Sequence, residues 1–144
     1  MGVFRFKRFE VVNERSAMKV NTDGVLLGAA MTINSSDRVL LDIGTGTGTI
    51  ALMAAQRFLD FARNDTADAR NDNEDARNLT VHAIDIDAIS AEEAAMNFSN
   101  SPWSEHLQAH TASLDEYAAS LEEGDTFDLI FSNPPYFDDS LGAP

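Results

Sequence analysis

Apolar positions along the chain fall into two alternating patterns. Short apolar runs of strand type occur at VLLDI from Val39, LTVHAIDID (79–87), LQAHTA (107–112) and FDLIFS (127–132). Between them the apolar residues space out as on a helix. Ile50, Met53, Ala54, Phe58 and Phe61 share one helical face, as do Ala91, Ala94, Ala95 and Phe98. A third helix is predicted around Leu114, Tyr117, Ala118 and Leu121, opened by Ser113 and Glu116 at capping-box spacing and ended by Gly124. Asp87 is placed to cap the helix that follows the second run. Strands alternating with helices predict βαβ units, a parallel sheet, and ligands at the carboxyl ends of the strands.

Ahead of this pattern lies a lead-in, residues 1–38, in which Phe4 and Phe6 alternate with basic residues like a half-buried strand. Asn21 to Gly24 reads as a turn into the apolar VLLGAAM. The remainder, 39–144, reads as an α/β unit interrupted at about 60–78. There DFARNDTADARNDNEDARN has almost no large apolar residue and predicts a mobile, low-complexity insertion.

Composition narrows the chemistry. The 144 residues suit one domain, and the 44% hydrophobic content suffices for a core. With no cysteine, disulfides, thiolate metal sites and thiol nucleophiles are excluded. No export signal or membrane span is legible, which predicts a cytoplasmic protein. His82, His106 and His110 lack metal-ligand spacing, and Trp103 reads as packing or loop. The net charge of −14 argues against a generally nucleic-acid-binding surface. Five of the ten basic residues, however, lie in the first twenty positions. That end is either a solvated strand and loop or a docking surface for an anionic partner.

Three motifs fall at strand ends. Asp42-x-Gly44-Thr45-Gly46-x-Gly48 is a glycine loop between strand and helix, open to close approach by a ligand. It lacks the third glycine of the dinucleotide fingerprint, since Thr49 stands there, and it is not a P-loop. An acid beside such a loop suits a cationic ligand such as S-adenosylmethionine better than a pyrophosphate. Asp85 ends the second strand, where a carboxylate can accept both hydroxyls of a ribose. At the end of the last run, Asn133-Pro134-Pro135-Tyr136 stops the strand, because proline has no N–H and a fixed φ. The Asn133 side-chain oxygen and the Pro134 carbonyl can then accept the two N–H bonds of a planar exocyclic amine. Tyr136 can stack on its ring, and the nitrogen lone pair faces a methyl sulfonium. Amine methylation is the chemistry that fits.

Together DIGTGTG, AIDID and NPPY resemble the S-adenosylmethionine-dependent amino methyltransferases with an N-P-P-Y catalytic motif. The N-terminal FRFKRFEVVNERSAMKVNTDGVLLGA is similar to the lead-in of the bacterial tRNA1(Val) adenine-N6-methyltransferases, which modify the adenine beside the anticodon. The resemblance implies a Rossmann-like class I methyltransferase fold. It implies a cofactor site of Asp42, Gly44, Thr45, Gly46, Gly48, Asp85, Ile86 and Asn133, with Lys19, Thr22 and Asp23 closing over the methionine end. A plain alternative for the last three is a turn in which Asp23 caps VLLGAAM. Ser113 stands where many members of the class carry an acid to meet the adenine; a cap alone is its other reading.

The family domain has a seven-stranded sheet, and this chain ends at Pro144, so the expected sheet is cut short at about the fourth strand. That predicts an edge open to association and a reduced rate on RNA. Two further readings compete with tRNA adenine methylation: a glutamine-N5-methyltransferase of release factors, which suits an acidic surface, and a cofactor-binding module without catalysis. No metal and no membrane is expected to take part.

Overall fold

A computed structural model of the chain describes residues 2–64 and 78–134, apart from the side chains of 61–64. The VLLDI run forms β3 (Val39–Ile43), one of two inner strands of a parallel sheet. It pairs with β4 (Thr80–Asp85) on one side and β6 (Leu129–Ser132) on the other, and β5 (Leu107–Thr111) continues beyond β4, giving the order β5-β4-β3-β6. The chain therefore reverses direction of growth between β5 and β6. This α/β arrangement puts a crevice at the carboxyl ends of β3 and β6, where ligands of such sheets bind.

Both faces of the inner strands β3 and β4 are covered, as their apolar runs predict, whereas β6 leaves Ile130 exposed. Leu40, Val81 and Ala83 belong to the larger core, which receives α2 (Thr49–Asn64) and α3 (Ala88–Ser99) through Leu52, Ala55, Phe58, Ala94 and Phe98. Leu41 and Ile84, one residue out of phase, meet Tyr117 of α4 (Leu114–Ser120) on the opposite face. Leu40 and Leu52 are completely buried, so truncating either to alanine costs about 2–5 kcal/mol.

The lead-in forms a hairpin of β1 (Val3–Arg5) and β2 (Glu10–Val12), then α1 (Thr22–Ala30), which packs on α2. Here the structure departs from several expectations. β1 is exposed along its whole length rather than half-buried. Phe6 lies beyond it and stacks on Phe9 at 4.4 Å, whose ring meets the buried Trp103 edge-on at 5.5 Å. Asn21 to Gly24 is not a separate turn, and the cap is Asn21 rather than Asp23. α1 starts at Thr22, and only the residue before it can turn its side chain back to the Gly24 N–H, at 2.8 Å. Asp23 sits inside the first turn, where its charge favours the helix end.

Helix α2 runs to Asn64, so the polar stretch that begins at Asp60 is still helical for its first residues. Polarity alone does not separate a solvated last turn from a loop. Residues 65–77 of the expected insertion lie outside the described residues. Helix α4 ends at Ser120, before Gly124: Leu121 turns extended, with ψ 146°, and packs with Tyr117. Gly124, at φ +96°, serves the turn that follows.

Candidate active site

β3 runs directly into Gly44, Gly46 and Gly48, at φ +71°, +55° and +86°, a backbone course that side chains rarely follow. Gly48 is required twice over, since a Cβ there would lie 2.6 Å from the Phe98 ring. At Gly44 a Cβ would meet nothing within 4 Å, so the loop presents open space on that side.

The loop is laced to the end of β4. The N–H groups of Gly44 and Thr45 both donate to the Ile84 carbonyl at 2.9 Å, and the Gly46 N–H donates to Asp85 Oδ2 at 2.9 Å. Gly48 N–H donates to the Thr45 carbonyl at 2.9 Å. With these donors engaged internally, the loop is not a ready cradle for a phosphate, in accord with the sequence pattern.

Two adjoining cavities open at the strand ends and share Met18 and Gly44 as walls. The larger, about 540 Å³, falls in the range of small-molecule sites. Asp85 and Ile86 line it from the end of β4, and Ser113 and Leu114 from the end of β5. Ile86 and Leu114 are 76% and 49% exposed, so two apolar side chains stand largely open on the rim. The smaller cavity, about 30 Å³, is walled by Lys19, Asn21, Gly24, Thr45, Gly46 and Asn133 among others. Asn133 is brought there by β6: Ser132 registers with Ile43 and donates through Oγ to its carbonyl at 2.8 Å. The Asn133 amide lies against Gly24, where a Cβ would come within 3.2 Å of Nδ2.

Asp42 lies below the loop, 1% exposed, and lines neither cavity. Its Oδ2 accepts from the Thr45 hydroxyl at 2.8 Å, whereas Oδ1 has no hydrogen-bond partner. Burial pushes its carboxyl up to about 7; the Thr45 hydrogen bond opposes this, the Asp85 charge adds to it, and the Ala51 N–H of α2 opposes it.

The structure thus gathers Lys19, Gly44, Thr45, Gly46, Asp85, Ile86, Ser113 and Asn133 around one pair of cavities. Thr22 and Asp23 line neither; their neighbours Asn21 and Gly24 do. Ser113 closes a complete capping box with Glu116 and lines the larger cavity as well. Asp87 likewise caps α3 and lines that cavity. Ala17, Met18 and Ser90 were not legible as site residues, because nothing local marks a side chain that reaches the site only through tertiary packing. Pro134 ends the described segment; Pro135 and Tyr136 lie outside the described residues. Among the described residues no group of three or more His, Asp or Glu is placed to hold a metal ion, and no helix is long and apolar enough to cross a membrane.

Comparison with known proteins joins these observations. The chain is 43% identical over 135 residues to a protein of Flavobacterium psychrophilum named tRNA1(Val) (adenine(37)-N6)-methyltransferase, covering 94% of this chain and 49% of that protein. A protein of the same name from Parabacteroides distasonis is 44% identical over 141 residues, covering 98% and 50%. The chain therefore spans about half the length of the curated relatives it matches. Its fold superposes on a candidate O-methyltransferase of Klebsiella pneumoniae with a TM-score of 0.59 at 20% identity, covering 83% of this chain and 47% of that one, a likeness of fold. The glycine loop, the acid that ends β4 and the strand-ending asparagine thus sit on a Rossmann-like sheet of methyltransferase type. Since residues 27–142 match the UPF0020 family, RMKL-like methyltransferase domain, the chain belongs to that family.

Proposed function

We propose that the paired cavities take S-adenosylmethionine and the amine to be methylated, and that the acceptor is the exocyclic amine of an adenine in tRNA, beside the anticodon of a valine tRNA. The observation that carries this reading is the shared wall: Asn133 lines the small cavity together with the glycine loop, and that cavity adjoins the larger one lined by Asp85. The names of the relatives support the choice of acceptor.

The residues present fit the cofactor. The larger cavity has the volume, Asp85 has spare lone pairs for a ribose, and Ile86 and Leu114 offer apolar surface to a flat base. When bound, S-adenosylmethionine supplies an electrophilic methyl group on a sulfonium. The chain's own residues bind and orient. Asp85 is the ribose acid, Ser113 and Ile86 flank the adenine, and Lys19 and Asn21 close the methionine end. Asn133 and the Pro134 carbonyl accept the two N–H bonds of the amine, which turns its lone pair toward the small cavity. One N–H proton leaves to solvent as the nitrogen takes the methyl group, so no strong base is required. Pro135 and Tyr136 are assigned to hold this turn and to stack on the base extruded from the RNA.

A protein acceptor, a glutamine amide of a release factor, is the second reading. It is favoured by the ion pairs Arg5–Glu10, Arg8–Asp60 and Arg15–Glu92, which engage three lead-in cations internally. Exposed pairs of this kind are worth only about 0–1 kcal/mol, so they can exchange for phosphate, and the tRNA reading is retained.

The test is to incubate the chain with S-adenosylmethionine and tRNA lacking the modification, with release factor in parallel, and to detect N6-methyladenine or N5-methylglutamine by mass spectrometry. Methyl transfer to tRNA that disappears in Asn133→Ala supports the proposal. Transfer to the release factor alone selects the second reading. Cofactor binding with no transfer to either selects a binding module.

A further inference from the structure

Ala17 and Met18 line the larger cavity and Met18, Lys19 and Val20 the smaller, all from a stretch of lead-in that belongs to no helix or strand. No backbone ladder holds it, so its position must come from side chains. Within the lead-in, Asn13 Oδ1 accepts the Val20 N–H at 3.3 Å and Lys19 Nζ donates to the Asn13 and Glu14 carbonyls at 3.0 Å, while residues 12–16, on which these contacts rest, are held by one face of α3. The Glu93 carboxylate is 1% exposed and accepts three consecutive backbone N–H groups: Glu14 at 3.2 Å and Arg15 at 2.8 Å on Oε2, and Ser16 at 3.1 Å on Oε1. One turn earlier, Ser90 Oγ shares a hydrogen bond of 2.9 Å with Ser16 Oγ, which also donates to the Met18 carbonyl at 3.2 Å. One turn later, Asn97 accepts from the Val12 N–H at 2.8 Å and donates to the Val12 carbonyl at 3.0 Å and the Thr47 carbonyl at 2.8 Å.

A buried carboxylate is costly unless its oxygens are satisfied, and here the donors that satisfy it belong to the segment that turns into the cavity wall. We propose that Glu93 is a positioning residue for the cofactor: it touches no ligand, and through the backbone of residues 14–16 it fixes the segment that closes both cavities. The inference rests on the cofactor reading above. It adds that affinity is set in part from the far side of α3.

The test uses Glu93→Gln in the whole chain, with Ser16→Ala as a second, milder variant. Three quantities are read together: affinity for S-adenosylmethionine by calorimetry, tryptic cleavage after Arg15 and Lys19 mapped by mass spectrometry, and the thermal midpoint from Trp103 fluorescence. In Glu93→Gln we expect cleavage at those two sites to rise about tenfold and affinity to fall by a similar factor, since buried donors lose their charged acceptor while the rest of the fold persists. Ser16→Ala should show the same pair of changes at about threefold. A merely structural role would lower the midpoint without this coupling. Should Glu93→Gln unfold, the Ser16→Ala result decides. Faster cleavage with unchanged affinity overturns the inference, as do unchanged cleavage and affinity. A wild-type chain that is protected at Arg15 yet takes up no cofactor overturns the cofactor reading, and this inference with it.

Discussion

Asp85 holds Gly46: its Oδ2 accepts the Gly46 N–H at 2.9 Å while Oδ1 accepts the Asp87 N–H at 2.9 Å. The acid that ends β4 is thereby locked in one rotamer and bolted to the loop after β3. Each oxygen keeps a lone pair for a ligand hydroxyl, so recognition requires no reorientation. Asp85→Ala removes the tether and the ligand acceptor together, and we expect S-adenosylmethionine affinity to fall on the order of 100-fold. Asp85→Asn keeps one acceptor and should lose about tenfold. Equal affinity in wild type and Asp85→Ala by calorimetry would remove Asp85 from the site.

The buried Asp42 should make stability fall as pH rises. Its carboxyl is raised in the fold to about 7 from the ordinary 3.8, so between those values the folded chain holds a proton that the unfolded chain has released. The linked stabilisation is complete below the lower value and lost by the upper. Over three units this amounts to roughly 4 kcal/mol at most. Asp42→Asn, which can still bond Thr45, should flatten urea unfolding midpoints across this window and raise them at neutral pH. A mutant profile parallel to wild type would refute the assignment.

Gly48→Ala should be among the most damaging single-methyl changes in the chain. The new Cβ would sit 2.6 Å from the Phe98 ring at a φ of +86°, and Phe98 is itself buried in the main core. Strain and overpacking together should cost about 2–4 kcal/mol, read as a lowered denaturation midpoint. Gly44→Ala meets no atom and should cost about 1–2 kcal/mol, from backbone strain alone.

On the proposed reading, Asn133 acts in transfer rather than in cofactor binding. It lines the small cavity from β6, whereas Asp85 and the glycine loop belong to β4 and to the segment after β3. Asn133→Ala should lower methyl transfer at least about 100-fold through loss of amine orientation, with cofactor affinity changed less than about threefold. A proportionate loss of both would place Asn133 on the cofactor instead of the acceptor.

Much of this was legible because local chemistry and tertiary position coincide. VLLDI announces itself because both faces of the sheet are buried at β3, whereas FDLIFS reads as an apolar run although its Ile130 is 55% exposed. The Ser113–Glu116 capping box is a purely local device and forms as its spacing predicts. The lead-in was less readable. The cap of α1 turned on which of several adjacent polar residues could reach Gly24, a matter of one residue's geometry. Glu93 was invisible: within a helix its charge reads as a solvated face, and only the fold reveals that residues 14–16 cover it. Likewise Arg5, Arg8 and Arg15 suggest a positive end, yet their partners Glu10, Asp60 and Glu92 lie up to 77 positions away.

The order β5-β4-β3-β6 also carries a history of assembly. Along the chain β4 and β5 meet across 26 residues (Val81 with Leu107) and β3 and β4 across 41 (Val39 with Thr80), whereas Leu40 and Leu129 of β3 and β6 are 89 apart. Closing the longest of these loops costs about 0.7 kcal/mol more than closing the β3–β4 loop and needs the earlier pairs as a template. β6 should therefore join last and open first, with amide exchange at Phe131 faster than at Leu41 or Ala83. Faster exchange in β4 would contradict this order. The strand that carries Asn133 is thus the most recent arrival on a frame already built from β3, β4 and β5.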